Sequence, residues 1–181
     1  KYFECIYILV LIMNTVKILN TTISETSLVE VSNILNTENS LKVAICNTNT
    51  VVRSYRDDQL SNIINSFDIK TPDGFPIAKS SSILYKNSQS RVDGYNVLLT
   101  TINNGLTKNT SHYFYGSNDL VLKKLIEKLK KDFPTINIVG SSSPPVGSYE
   151  ELVREEYVKD IIDAEPDIVW ISLGFPKQEL F

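Results

Sequence analysis

With 181 residues, 42% of them hydrophobic and 22% charged, the chain can bury a substantial core without staples and has the composition of an ordinary globular protein. The net charge of -3 argues against a general nucleic-acid binder, which carries a basic excess. Cys5 and Cys46 lie far apart, with a single histidine elsewhere, so no zinc-type spacing exists and both read as reduced thiols.

In chain order, "KYFECIYILVLI" precedes Met13, the one methionine. Its apolar part, about ten residues, is half of a membrane span, and no small-residue cleavage site follows it. Residues 1–12 are therefore expected to be an N-terminal extension or upstream fragment, and residues 13–181 the domain. "VKIL", Val16 to Leu19, reads as a strand. "SETSLVEVSNIL" reads as a helix capped by Ser24 or Thr26. "KVAIC" is a β-branched strand, and "VVRSYRDDQLSNIIN" is helical. "FDIK" is a short strand that runs into "TPDGFPIA", Thr71 to Ala78. Helices are expected over Phe75 to Leu84 and Asn96 to Leu106, with "HYFYG" as the next strand.

"NDLVLKKLIEKLKKDF" is the clearest helix. Asn118 caps it, and Val121, Leu122, Leu125, Leu129 and Phe133 form an apolar stripe. "INIVG" is a strand, "YEELVREEYVKDIIDA" a helix and "DIVWISLG" a buried strand. Pro176 then opens a helix, where its missing N–H costs nothing. Alternating strands and helices predict an α/β fold, Rossmann-like, with a mostly parallel sheet and helices on both faces. In such sheets ligands lie outside the carboxyl ends of the strands. "NTNT", "TPDG", "GSND" and "LGFPKQ" all fall at those ends.

Several signatures are missing. No G-x-G-x-x-G follows a strand, and there is no phosphate-binding G-x-x-x-x-G-K-[ST]. His112 has no obvious acid or nucleophile beside it and reads as structural. "RDDQ", Arg56 to Gln59, is not the D-x-D that commonly holds a metal-bound nucleotide, and is expected to face water near a helix end. The remaining polar residues at strand ends are Asn47, Asn49, Asp73, Arg91 and Gln178. An acid, a guanidinium and amides suit a polyhydroxylated, phosphorylated ligand. Each also has a plain alternative: Asp73 a turn residue, Asn49 a helix cap, Arg91 a surface charge, Gln178 a solvated helix position.

Taken together the segments resemble the WecG/TagA/CpsF family of bacterial glycosyltransferases, over about Met13 to Phe181. "MNTVKILN" is similar to the family's usual beginning. "ICNTN" with "RDDQL" resembles its first Asn-bearing loop and the following helix. "FDIKTPDGFPIA" is similar to its Asp-Gly-x-Pro motif, and "SRVDGYNVL" to its R-V-x-G-x-D motif. The block from "YFYGSNDL" to the "SPP" loop, and the ending "AEPDIVWISLGFPKQELF", resemble its central block and its PKQE ending. Asp-Gly and PKQE in this order, about a hundred residues apart, are specific together.

The resemblance implies an inverting transfer from a UDP-sugar, with an N-acetylmannosamine-, mannosaminuronate- or glucuronate-like sugar. The acceptor would be a polyprenyl-diphosphate-linked sugar, and the products would feed teichoic acid, enterobacterial common antigen, capsule or exopolysaccharide. It implies no cofactor and no bound metal. Asp73 takes the position of the proposed general base, and Asn47, Asn49, Arg91 and Gln178 the positions of substrate-binding residues. Asn47 stands where many members carry Thr, and Asn96 where they carry Asp. The family's C-terminal segment, which closes the site and contacts the membrane, is expected to be lacking here. The protein is then expected in the cytoplasm, peripheral to the inner face of the bacterial plasma membrane, with no nucleic-acid partner and with homo-oligomerisation left open. The competing reading is a non-catalytic sugar-nucleotide-binding α/β domain.

Overall fold

In a computed structural model of the chain, the described residues are 13–38, 40–145, 147, 148, 151 and 154–181. The expected extension over residues 1–12 lies outside them, as do Tyr149, Glu150, Leu152 and Val153 of the expected "YEELVREEYVKDIIDA" helix. Contacts divide the chain into two compact units, Lys1–Thr101 and Ile102–Phe181.

The first unit opens with a hairpin, β1 (Thr15–Ile18) against β2 (Thr21–Ser24), antiparallel from Thr15↔Ser24 to Ile18↔Thr21. Leu19 takes a positive φ of 52° in its two-residue turn, as tight hairpin turns require. Placing Ser24 in a helix is thereby corrected. "TTIS" is a strand because Thr21, Thr22 and Ile23 are β-branched and Ile23 is fully buried. The helix α1 (Leu28–Leu35) starts later, at a capping box. The Ser27 hydroxyl accepts from the Glu30 amide at 3.2 Å, and the Glu30 carboxylate accepts from the Ser27 amide at 3.1 Å. The cap is therefore Ser27, not Ser24 or Thr26.

β3 (Val43–Cys46) and β4 (Ile69–Pro72) pair in parallel, from Val43↔Ile69 to Cys46↔Pro72. The crossover between them is two helices rather than one, α2 (Thr48–Arg56) and α3 (Asp58–Asn65). The break falls at Asp57, whose backbone is extended and whose carboxylate accepts from the Leu60 amide at 3.0 Å. A new cap satisfies the orphan amides of α3, and "RDDQ" is exposed as expected. The Ser24 hydroxyl accepts from the Lys70 amide at 3.1 Å, fastening the hairpin to β4. Helices α4 (Phe75–Tyr85) and α5 (Gly94–Gly105) follow. Val16, Ile23, Val31, Val51, Ile64, Ile69, Ile77, Val92 and Val97 make the core. Each such buried side chain stabilises the fold by roughly 1.5–3 kcal/mol relative to exposure.

In the second unit, β5 (Ser111–Gly116) lies between β6 (Asn137–Ser142) and β7 (Ile168–Ser172), all parallel. β5 is buried from His112 to Gly116. β7 was expected to be buried throughout, yet only Ile168 is buried. Among the described residues β7 lies at the sheet edge with β5 as its one hydrogen-bonded neighbour, which explains the difference. Helix α6 (Asp119–Asp132) is capped as expected, the Asn118 side chain accepting from the Val121 amide at 3.0 Å. Its inward stripe holds Leu122 and Leu129, with Leu125, Ile126 and Phe133 half-buried. Val121, expected in the stripe, is 47% exposed. It sits in the first turn, one residue off the face that Leu122 and Leu129 define at a seven-residue interval. Helices α7 (Glu155–Ala164) and α8 (Lys177–Leu180) also belong to this unit. The alternation of strands and helices with parallel pairing is the α/β, Rossmann-like architecture expected. Among the described residues, no helix is long and apolar enough to cross a membrane.

Candidate active site

The carboxyl ends of β3 and β4 are tied together by their own backbone. The Asp73 amide donates to the Cys46 carbonyl at 3.0 Å, and the Val92 amide donates to the Pro72 carbonyl at 3.0 Å. Gly94, at the head of α5, lies against Ile45 of β3. Three loops therefore meet at one end of the parallel pair, carrying Asn47, Asp73 and Arg91.

Asp73 is placed by Gly74, whose φ of 88° lies in the left-handed region that disfavours any side chain. The chain turns there and enters α4 at once, with Pro76 in the first turn. Arg91 Nε lies 3.5 Å from Asp73 Oδ1, the two side chains being 57% and 22% exposed. Arg91 Nη2 lies 3.6 Å from Asp93 Oδ2, whose side chain is only 9% exposed. Asp93 is in turn held by Asn96, through the backbone amide at 3.1 Å and the side-chain amide at 2.7 Å. Burial pushes the Asp93 carboxyl up, but the hydrogen bonds from Asn96 and the charge of Arg91 outweigh it, leaving Asp93 more acidic than an ordinary aspartate.

The Asn47 side chain accepts from the Thr50 amide at 3.1 Å and caps α2. The helix-cap role weighed for Asn49 thus belongs to Asn47. Asn49 lies in the first turn of α2 and is exposed. Asp73 and Arg91 are brought together; Asn47 shares the same strand ends, with its amide nitrogen uncommitted among the described residues.

Gln178 belongs to the second unit, on α8. Its amide donates to Glu179 Oε1 at 3.0 Å, while the Lys177 ammonium donates to the Gly147 carbonyl at 2.6 Å. Glu179 is buried, and burial raises its pKa above the usual carboxylate range. Its Oε2 has no hydrogen-bond partner among the described residues. His112, read as structural, is buried on β5, where its Nδ1 accepts from Trp170 Nε1 at 3.2 Å. Burial lowers its pKa to about 4, so it is neutral at pH 7.

Asp93 and Glu179 were missing from the candidates read from sequence. Asp93 had a local signal, an acid three residues before Asn96 at the head of a predicted helix, which is cap spacing. Glu179 had none beyond its place in "PKQE". Among the described residues, no group of three or more His, Cys, Asp or Glu side chains is arranged to hold a metal ion.

The profile of the glycosyl transferase WecG/TagA/CpsF family matches residues 15–181. The chain belongs to this family. Two relatives are both named N-acetylglucosaminyldiphosphoundecaprenol N-acetyl-beta-D-mannosaminyltransferase. The Bacillus spizizenii protein (strain W23) is 33% identical over 119 residues, covering 66% of this chain and 44% of its own length. The Bacillus subtilis protein (strain 168) is 27% identical over 139 residues, covering 77% of this chain and 52% of its own length. The chain thus spans about half the length of the family members it matches. Within the family match lie both the Asp73–Arg91 cluster and the "PKQE" segment.

Proposed function

We propose that this chain carries the catalytic base and part of the donor site of a glycosyltransferase. In this reading it moves an N-acetylmannosamine-like sugar from its UDP donor to a polyprenyl-diphosphate-linked sugar. The observation that carries the proposal is the carboxylate of Asp73, fixed at the end of β4 and facing a guanidinium. The names of the two relatives favour N-acetylmannosamine over a mannosaminuronate or glucuronate.

The step runs as a single displacement with inversion. An acceptor hydroxyl oxygen forms the new bond to the anomeric carbon as the bond from that carbon to the UDP oxygen breaks. Asp73 takes the hydroxyl proton, which is typically worth ~10²–10⁴-fold in rate. The leaving diphosphate gathers negative charge, offset by Arg91 and by the amide-rich N-terminus of α2, where Asn47 and Asn49 sit. The proposal for Gln178 rests on its place in "PKQE". No step needs a metal or another cofactor. The lipid on the acceptor would bring the protein to the inner face of the plasma membrane.

The test is transfer of radiolabelled N-acetylmannosamine from its UDP donor to an undecaprenyl-diphosphate-N-acetylglucosamine analogue, with a β-linked product expected. UDP binding without any transfer, even by the protein extended to the full length of its relatives, would favour the sugar-nucleotide-binding reading instead.

A further inference from the structure

Asp93 is not needed merely to cap a helix. A serine or asparagine would satisfy the Asn96 amide at the head of α5 equally well. The chain instead buries a carboxylate there, and a buried charge must be compensated. The compensation is specific. Asn96 supplies two donors, at 3.1 and 2.7 Å, and the Arg91 guanidinium supplies a charge at 3.6 Å. The result is a rigid anion under a side chain that is itself 57% exposed. Arg91 faces two carboxylates unlike each other: Asp93, buried and clamped, and Asp73, more open and at the proposed reacting position. Nη1 of Arg91 has no partner among the described residues.

We propose that Asp93 is a positioning residue, anchoring Arg91 through Nη2 so that the guanidinium is aimed at the donor diphosphate rather than collapsed onto Asp73. The proposal rests on the functional reading above. An exposed arginine samples many rotamers, and restricting them on ligand binding costs conformational entropy. A fixed anion at one end of the planar fork removes much of that freedom before the ligand arrives. Asn96 then serves as the clamp on Asp93. An aspartate at position 96 would set a second carboxylate against Asp93, where this chain has a donor.

The charges give the idea a distinctive signature. Asp73, Arg91 and Asp93 sum to one negative charge. Replacing Asp93 by Asn removes it while keeping a cap acceptor. A bound diphosphate is then repelled less, which offsets the poorer aim of Arg91, so UDP affinity should hold. Turnover should nevertheless fall, about 3- to 10-fold, because Arg91 is free to pair fully with the base. A structural lesion would instead weaken UDP binding and lower the melting temperature together.

The experiment is a double-mutant cycle of Asp93→Asn and Arg91→Ala, read by UDP titration calorimetry, turnover and thermal melting. The expected result is a turnover loss in Asp93→Asn that disappears in the Arg91→Ala background, with UDP affinity maintained and folding intact. Asn96→Ala should show a smaller effect in the same direction. Additive losses, no loss, or loss of UDP affinity with a lower melting temperature would each overturn the proposal. Should the unmodified protein neither bind UDP nor transfer sugar, the functional reading fails. The anchor is then judged from the Arg91 Nε–H resonance, which must shift and exchange faster in Asp93→Asn if Asp93 holds the guanidinium, and must stay put if it does not.

Discussion

Replacing Asp73 with Asn should separate the proposed catalytic role from stability. Asn keeps the size and a carbonyl acceptor, and Gly74 still makes the turn, so the backbone bonds from Asp73 to Cys46 and from Val92 to Pro72 remain. What is lost is the charge facing Arg91 Nε at 3.5 Å. In water-like surroundings two unit charges at that distance attract by about 1.2 kcal/mol. The arginine is more than half exposed, so screening and side-chain ordering reduce the net value to ~0–1 kcal/mol. Unfolding free energy should therefore change by less than about 1 kcal/mol. Turnover should fall ~10²–10⁴-fold, equivalent to about 2.7–5.5 kcal/mol of lost transition-state stabilisation. The assay pairs urea unfolding of the two proteins with steady-state transfer, at saturating UDP-sugar and acceptor. UDP affinity should change little. Turnover within threefold of the unmodified protein would remove Asp73 from the base role. A stability loss above ~2 kcal/mol would show that the carboxylate holds the fold.

The remaining predictions concern the second unit. His112 is held at a pKa of about 4, against an ordinary 6.5, mainly by burial. Its contribution to stability is present in full above about pH 6.5 and is lost as pH falls toward 4, because the unfolded chain binds the proton first. The total is about 3 kcal/mol, and the difference between the pH–stability curves of the unmodified protein and His112→Asn should span that window; parallel curves would refute it. Leu129→Asp, on the buried face of α6, should unfold the unit, whereas Lys124→Glu on its exposed face should leave the melting temperature within a few degrees. A stable Leu129→Asp protein that merely lost liposome binding would assign the face to lipid instead. Gly116→Ala should destabilise strongly, since a Cβ there would lie 2.3 Å from the Ser172 carbonyl oxygen and φ is 118°; a melting temperature unchanged by the substitution would show that β5 and β7 separate at that end.

Local chemistry by itself determined much of this protein. The β-branched runs at β3 and β4, the Asn118 cap with its following periodicity, and Pro76 in a first helical turn are encoded within a few residues, and each took the expected form. The order of strands and helices, read with the polar clusters, located Asp73 at a strand end. Elements decided by partners distant in sequence were not legible. Ser24 reads with the helix that follows it, yet it closes the strand "TTIS", because Thr15–Ile18 offered a ladder and Ile23 a core. The crossover helix was split because Asp57 could cap a second helix. "DIVWISLG" has the composition of a central strand but, among the described residues, received one neighbour. The same holds for the cluster around Arg91. The sequence presents Asp73, Arg91 and Asp93 as three charges, with only the cap spacing of Asp93 to hint at more. Their joining depends on the Val92 amide meeting the Pro72 carbonyl. That is a packing event, in which backbone geometry, rather than the propensity of any residue, decides which carboxylate an arginine meets.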